Sequence, residues 1–185
     1  CWSLVGSEMC IRDRYTSKFT QLLYSNYMYL FMIACYVFMA VSAINLTLTG
    51  ISGYWDYKIL GASHTRFALF TVLIFTITET LVMYFFITTG KAIKKAVEDG
   101  LGNHALWERE RKLKMVLFPQ LMLTILLVGG WFIHIGAIEN NISPMWLHYL
   151  LFIVAYIHHF WSLKIKNNAF KSQIAIISEL EPEVS

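Results

Sequence analysis

The stretch MVLFPQLMLTILLVGGWFIHIGA, residues 115–137, contains no charged side chain. A membrane helix needs about 20 mainly apolar residues to cross the hydrocarbon core, and this run supplies them between Lys114 and Glu139. Working outward, the pattern repeats. No charge falls between Glu139 and Lys164, so residues 146–163 form the next candidate span. In the other direction, residues 67–89 lie between Arg66 and Lys91 with Glu79 as the single interruption. Residues 22–48 sit in the uncharged run between Lys18 and Asp56. Helices of soluble proteins rarely run this long without charge. Four such runs in succession predict an all-α integral membrane protein, with four transmembrane helices in an antiparallel bundle. The strand-like alternation of a membrane β-barrel is absent from them.

Composition agrees. Of 185 residues, 57% are hydrophobic and 15% are charged, whereas soluble domains carry roughly a quarter charged residues. The chain is too apolar and aromatic for disorder. Ten glycines and three prolines exclude a collagen-like chain. Once four spans are counted, too little length remains for a separate cofactor domain.

The basic residues set the expected orientation. The connection between spans two and three holds Lys91, Lys94, Lys95, Arg109, Arg111, Lys112 and Lys114, and the tail 164–185 opens with Lys164, Lys166 and Lys171. The two opposite loops hold only Lys58 and Arg66. Both termini are therefore expected in the cytoplasm of a bacterial cell, with the spans in its inner membrane. The +3 net charge is this facial bias, and nucleic acid is not an expected partner. Tyr54, Trp55, Tyr57, Trp131, Trp146 and Tyr149 are expected as anchors at the outer interface, and Trp161 at the inner one.

The basic connection reads as a cytoplasmic helical hairpin extending helices two and three. Gly100-Leu-Gly-Asn103 breaks it, because glycine tolerates positive φ and asparagine caps the following helix. Glu108–Lys112 and Glu110–Lys114 are i,i+4 pairs in the favourable order. Residues 166–177 are expected to form a further amphipathic helix in the tail. Gly129-Gly130 in span three is expected to allow close helix approach.

The first residues read differently. Leu4 to Asp13, LVGSEMCIRD, matches one frame of a short sequencing-library adapter, so residues 1–14 are expected to be an assembly scar. Residues 15–185 then form a single membrane domain, with native sequence expected upstream of Tyr15. Cys1 and Cys10 fall in the scar. That leaves Cys35 in an apolar run and no intramolecular disulfide framework.

Polar groups that persist inside spans are where chemistry concentrates. Six histidines occur, and depth follows from the helix rise of about 1.5 Å per residue. His64, His134 and His148 fall at the outer rim, one from each of three helices. Imidazole is the commonest ligand of zinc, copper and haem iron, so these three are the metal candidates. Glu79 lies roughly 20 Å in from Arg66, at the depth of His158 and His159. A lone carboxylate there is expensive, and a hydrogen bond to His159 or His158 is the expected answer. At 100° per residue, positions eleven apart differ by only about 20°, so His148 and His159 share one face of span four. His64, His148 and His159 are accordingly the cofactor candidates. The stacking is architecturally similar to b-type cytochrome anchors, which carry a matching pair on a second helix. Here spans one to three offer no histidine at the inner level, so only an outer bis-histidine haem fits within one chain.

Three function classes follow. The first is a small redox-associated subunit. It would hold a b-type haem or a transition metal at the rim, with Glu79 and His159 handling a proton or quinone. The second is a non-catalytic accessory or assembly subunit of a larger membrane complex. The third, a proton-coupled transporter, is disfavoured because four spans without repeats or broken helices make a poor alternating-access machine. No serine nucleophile elbow, CxxC or dinucleotide fingerprint is present, so the chain is not expected to be an enzyme by itself. Expected partners are the lipid bilayer and either other membrane subunits or further copies of this chain.

Overall fold

The computed structural model describes residues 3–180 except Asp56, Leu60 and Leu101, with side chains described from Tyr27 onward. The adapter-like segment 1–14 lies outside the described side chains, and the acidic end of the tail lies outside the described residues.

Four helices account for the fold: α1 Ser3–Trp55, α2 His64–Glu98, α3 His104–Glu139 and α4 Met145–Leu180. Three are long and apolar enough to cross a membrane, α1 over Tyr27–Trp55, α2 and α3. α4 is not among them, because His148, His158 and His159 interrupt its apolar run. Among the described residues, the one β feature is an isolated bridge, Ile59 to Ala62, beside the positive-φ Gly61.

Helix ends follow local chemistry. α2 stops where Gly100 adopts φ 78°, and Asn103 caps α3 by accepting from the Ala105 amide at 3.0 Å. The expected Glu110–Lys114 pair forms at 2.6 Å. Glu108 is instead 3.6 Å from His104, one turn back rather than one turn on. The tail departs further from expectation. α4 does not end near Leu163 but runs on to Leu180, because nothing between Lys164 and Leu180 breaks a helix.

α3 packs on α4, α1 on α2, and α2 on α3, while α1 meets α4 along a thinner seam. Many large apolar side chains face outward, and a set of polar ones faces inward. Ile33, Leu73, Leu126, Ile133, Ile153 and Ile157 are exposed, whereas Ser42, Thr78, Glu79, His159, Lys166 and Gln173 are buried. That inversion suits a hydrocarbon solvent, in which exposed apolar groups cost nothing and exposed polar ones do.

The interior is layered along the helix axes. One apolar cluster is Leu46, Ala68, Phe75, Val128, Trp131, Ile135 and Ala155. A second is Cys35, Met39, Val82, Phe85, Phe86, Leu117, Leu121, Ala169 and Phe170. A third, Ile93, Leu106 and Ile176, closes the end opposite the histidine rim. Polar layers lie between and beyond these clusters.

Glycine marks close approach at places other than Gly129-Gly130, where an added Cβ would meet nothing within 4 Å. At Gly53 it would come 2.7 Å from His64 Cε1, and at Gly90 it would collide with Glu110 and Lys114.

Candidate functional site

The rim layer forms where α2, α3 and α4 end beside α1. The His64 and His148 rings lie 6.0 Å apart, edge to face. His134 and His148 are stacked, also at 6.0 Å. The three histidines therefore meet at one level, with His148 in the middle and 7% exposed. Each has one ring nitrogen held. Ser52 Oγ is 3.0 Å from His64 Nδ1, Ser143 Oγ is 2.7 Å from His134 Nε2, and Trp131 Nε1 donates to His148 Nε2 at 3.3 Å. Such bonds fix tautomer and ring orientation. Among the described residues, no three His, Cys, Asp or Glu side chains are arranged to hold a metal ion.

Trp131 differs from the other rim aromatics. Tyr54, Trp55, Tyr57, Trp146 and Tyr149 are exposed, as interfacial anchors are, but Trp131 is 1% exposed. Its ring packs on His148 at 5.6 Å and on Phe152 at 5.1 Å.

The deep layer lies between the first two apolar clusters. Its centre is an ion pair that neither histidine joins. The Lys166 ammonium donates to Glu79 Oε1, and both side chains are fully buried. This corrects the expected Glu79–His159 or Glu79–His158 bond. His158 is on the α3 side, with Nδ1 3.1 Å from Thr124 Oγ1. His159 is fully buried, and neither of its ring nitrogens has a hydrogen-bond partner. Its ring packs on Phe75 at 5.6 Å. The physical reason for the correction is charge. An ammonium answers a carboxylate in low dielectric better than a neutral imidazole does, and the unbroken α4 carries one into place.

Below the second apolar cluster, Gln173 Nε2 donates to Thr89 Oγ1 at 2.9 Å, and the Glu110–Lys114 pair sits over Gly90.

Sequence reasoning missed Ser52, Gly53, Ser143 and Lys166. The first three carry no signal, because a small residue near a helix end has many uses. Lys166 carried one. It is seven residues beyond His159, a rotation of about 20° by helix geometry, and so shares the face of His148 and His159. What remains is a buried polar layer of Glu79, Lys166 and His159, below a rim of three hydrogen-bonded histidines. No protein family, curated protein or solved structure matches the chain.

Proposed function

We propose that the protein is a four-span inner-membrane protein with the histidine rim outside and both termini cytoplasmic. In this reading it works as a non-enzymatic subunit of a larger membrane assembly and carries a proton in its Glu79–Lys166–His159 layer. For α4 as a span, support comes from its outward face, where Leu150, Ile153, Val154, Ile157 and Phe160 are exposed. For the orientation, it comes from the basic residues clustered at the end opposite the rim.

The fully buried Glu79–Lys166 ion pair carries the functional reading. Such pairs contribute little net stability, since desolvation offsets the attraction. Ionisable residues inside a membrane most often mark proton or ion pathways. Moving the shared proton from Lys166 to Glu79 converts the ion pair into a neutral amine and carboxylic acid, with no net change in charge. In low dielectric the two forms approach each other in energy. An incoming proton is taken by the Glu79 carboxylate of the ion-pair form, by the Lys166 amine of the neutral form, or by the unpartnered nitrogens of His159. The test is infrared-detected titration of the protein in lipid across roughly pH 5 to 9. A carboxyl C=O band that titrates in the wild type and is missing from Glu79→Gln is the expected result. A wild type without such a band ends the reading.

The redox alternative, a b-type haem or transition metal at His64, His134 and His148, draws on the convergence of those rings. Against it stand their stacked geometry and the occupation of His148 Nε2 by Trp131. A Soret band or stoichiometric metal in the purified protein would restore it.

A further inference from the structure

Five side chains of the deep layer have buried polar atoms with no hydrogen-bond partner: Ser42 Oγ, Glu79 Oε2, His158 Nε2, both ring nitrogens of His159, and Ser162 Oγ. His159, Ser162 and Lys166 are spaced i, i+3, i+7 on the buried face of α4, and Lys166 holds Glu79. Thr78 donates to the Phe38 carbonyl at 3.3 Å, which sets α1 against α2 at this level and places Ser42 one turn nearer the rim. An unsatisfied buried polar atom is costly, so several of them at one level point to something that binds there.

Its chemistry can be narrowed. A metal cation is repelled by the Lys166 ammonium. An anion finds that ammonium already answered by Glu79. Apolar clusters above and below leave no polar route for a larger solute. What fits is a small neutral molecule that both donates and accepts, which is the role of buried water.

We propose that this layer holds a cluster of internal water linking His159 to Glu79, and that the Phe75 ring is the barrier separating it from the rim. The inference rests on the proton-carrying reading. Phe75 is 1% exposed and packs on His159. It shares its apolar cluster with Trp131, which packs on His148. Phe75 and Trp131 thus fill the gap between two histidines on one face of α4, roughly 16 Å apart by helix rise. In the transfer, His159 takes a proton on one ring nitrogen and releases one from the other to water. The water passes a proton to the Glu79 carboxylate. One proton is displaced, and no electron moves.

Two measurements test this. X-ray radiolysis of the wild type in lipid activates bound water, so Phe75 and His159 should be oxidised despite their burial. Absence of label at both overturns the water cluster. After transfer from H2O to D2O, the Glu79 carboxyl band should undergo hydrogen–deuterium exchange roughly tenfold faster or more in Phe75→Ala than in the wild type. The band should be missing from the double variant Phe75→Ala/Glu79→Gln. A folded Phe75→Ala protein that exchanges no faster than wild type overturns the barrier, as does an equally fast band that persists in the double variant. Loss of the infrared carboxyl titration instead sinks the proton reading beneath both.

Discussion

The rim and the deep layer are both polar and both built around a histidine of α4, yet they satisfy their polar groups in opposite ways. At the rim, His64, His134 and His148 each take a neutral neighbour, a serine or an indole. No carboxylate is needed, and the serines come from helix or loop ends close in space. In the deep layer the carboxylate of Glu79 is met by a full opposite charge, Lys166, while His159 beside it has no hydrogen-bond partner. The difference teaches where the dielectric matters. Near an interface, neutral hydrogen bonds suffice. Deep in the bundle, a charge has to be neutralised by another charge, and that requirement leaves imidazole free.

The comparison breaks first at the ion pair. Glu79→Leu or Lys166→Leu alone strands the partner charge and should cost about 3–5 kcal/mol, read by thermal unfolding in detergent. The double variant Glu79→Leu/Lys166→Leu should recover most of that loss, since it removes both charges. Single variants as stable as wild type would show that the deep layer is not organised by charge. The rim should respond less. Gly53→Ala brings a Cβ within 2.7 Å of His64 Cε1. The gain in helix propensity, about 1 kcal/mol, is opposed by overpacking of about 1–3 kcal/mol. The expected outcome is a small net loss, with the His64 ring resonance displaced in the NMR spectrum and Glu79 unaffected. An unmoved His64 resonance would show that the ring does not rest on α1. The smallest effect belongs to Arg109→Ala, which removes the half-exposed Arg109–Glu179 pair at the opposite end. It should change stability by under about 1 kcal/mol. A larger loss would mean that charge pairing governs the whole length of the molecule, not the deep layer alone.

Much of this was legible before any coordinates. The uncharged runs located all four helices. Counting along them placed Glu79 level with His158 and His159, and gathered His64, His134 and His148 at one rim. The partner of Glu79 was not legible, because Lys164 looks like the end of a span and Lys166 like part of a solvated tail. The spacing of His148, His159 and Lys166 held the signal, but only a helix that continues past Leu163 turns spacing into proximity. Gly129-Gly130 misled for the converse reason. Small residues permit close packing without causing it, and the close approaches fall at Gly50, Gly53, Gly90 and Gly102, where Phe152, His64, the Glu110–Lys114 pair and Leu180 arrive from neighbouring helices. Trp131 shows the same limit. Its position near a helix end suggested an anchor, while its rotation buried it against His148.

By itself, then, the sequence determined the helices and the order of their polar groups along the helix axes. These follow from composition and from a constant rise and rotation per residue. Only the tertiary structure decided which polar groups touch. Contact depends on how helices rotate against one another and on where each one stops, and both are settled by packing across the whole bundle rather than by any local run of residues.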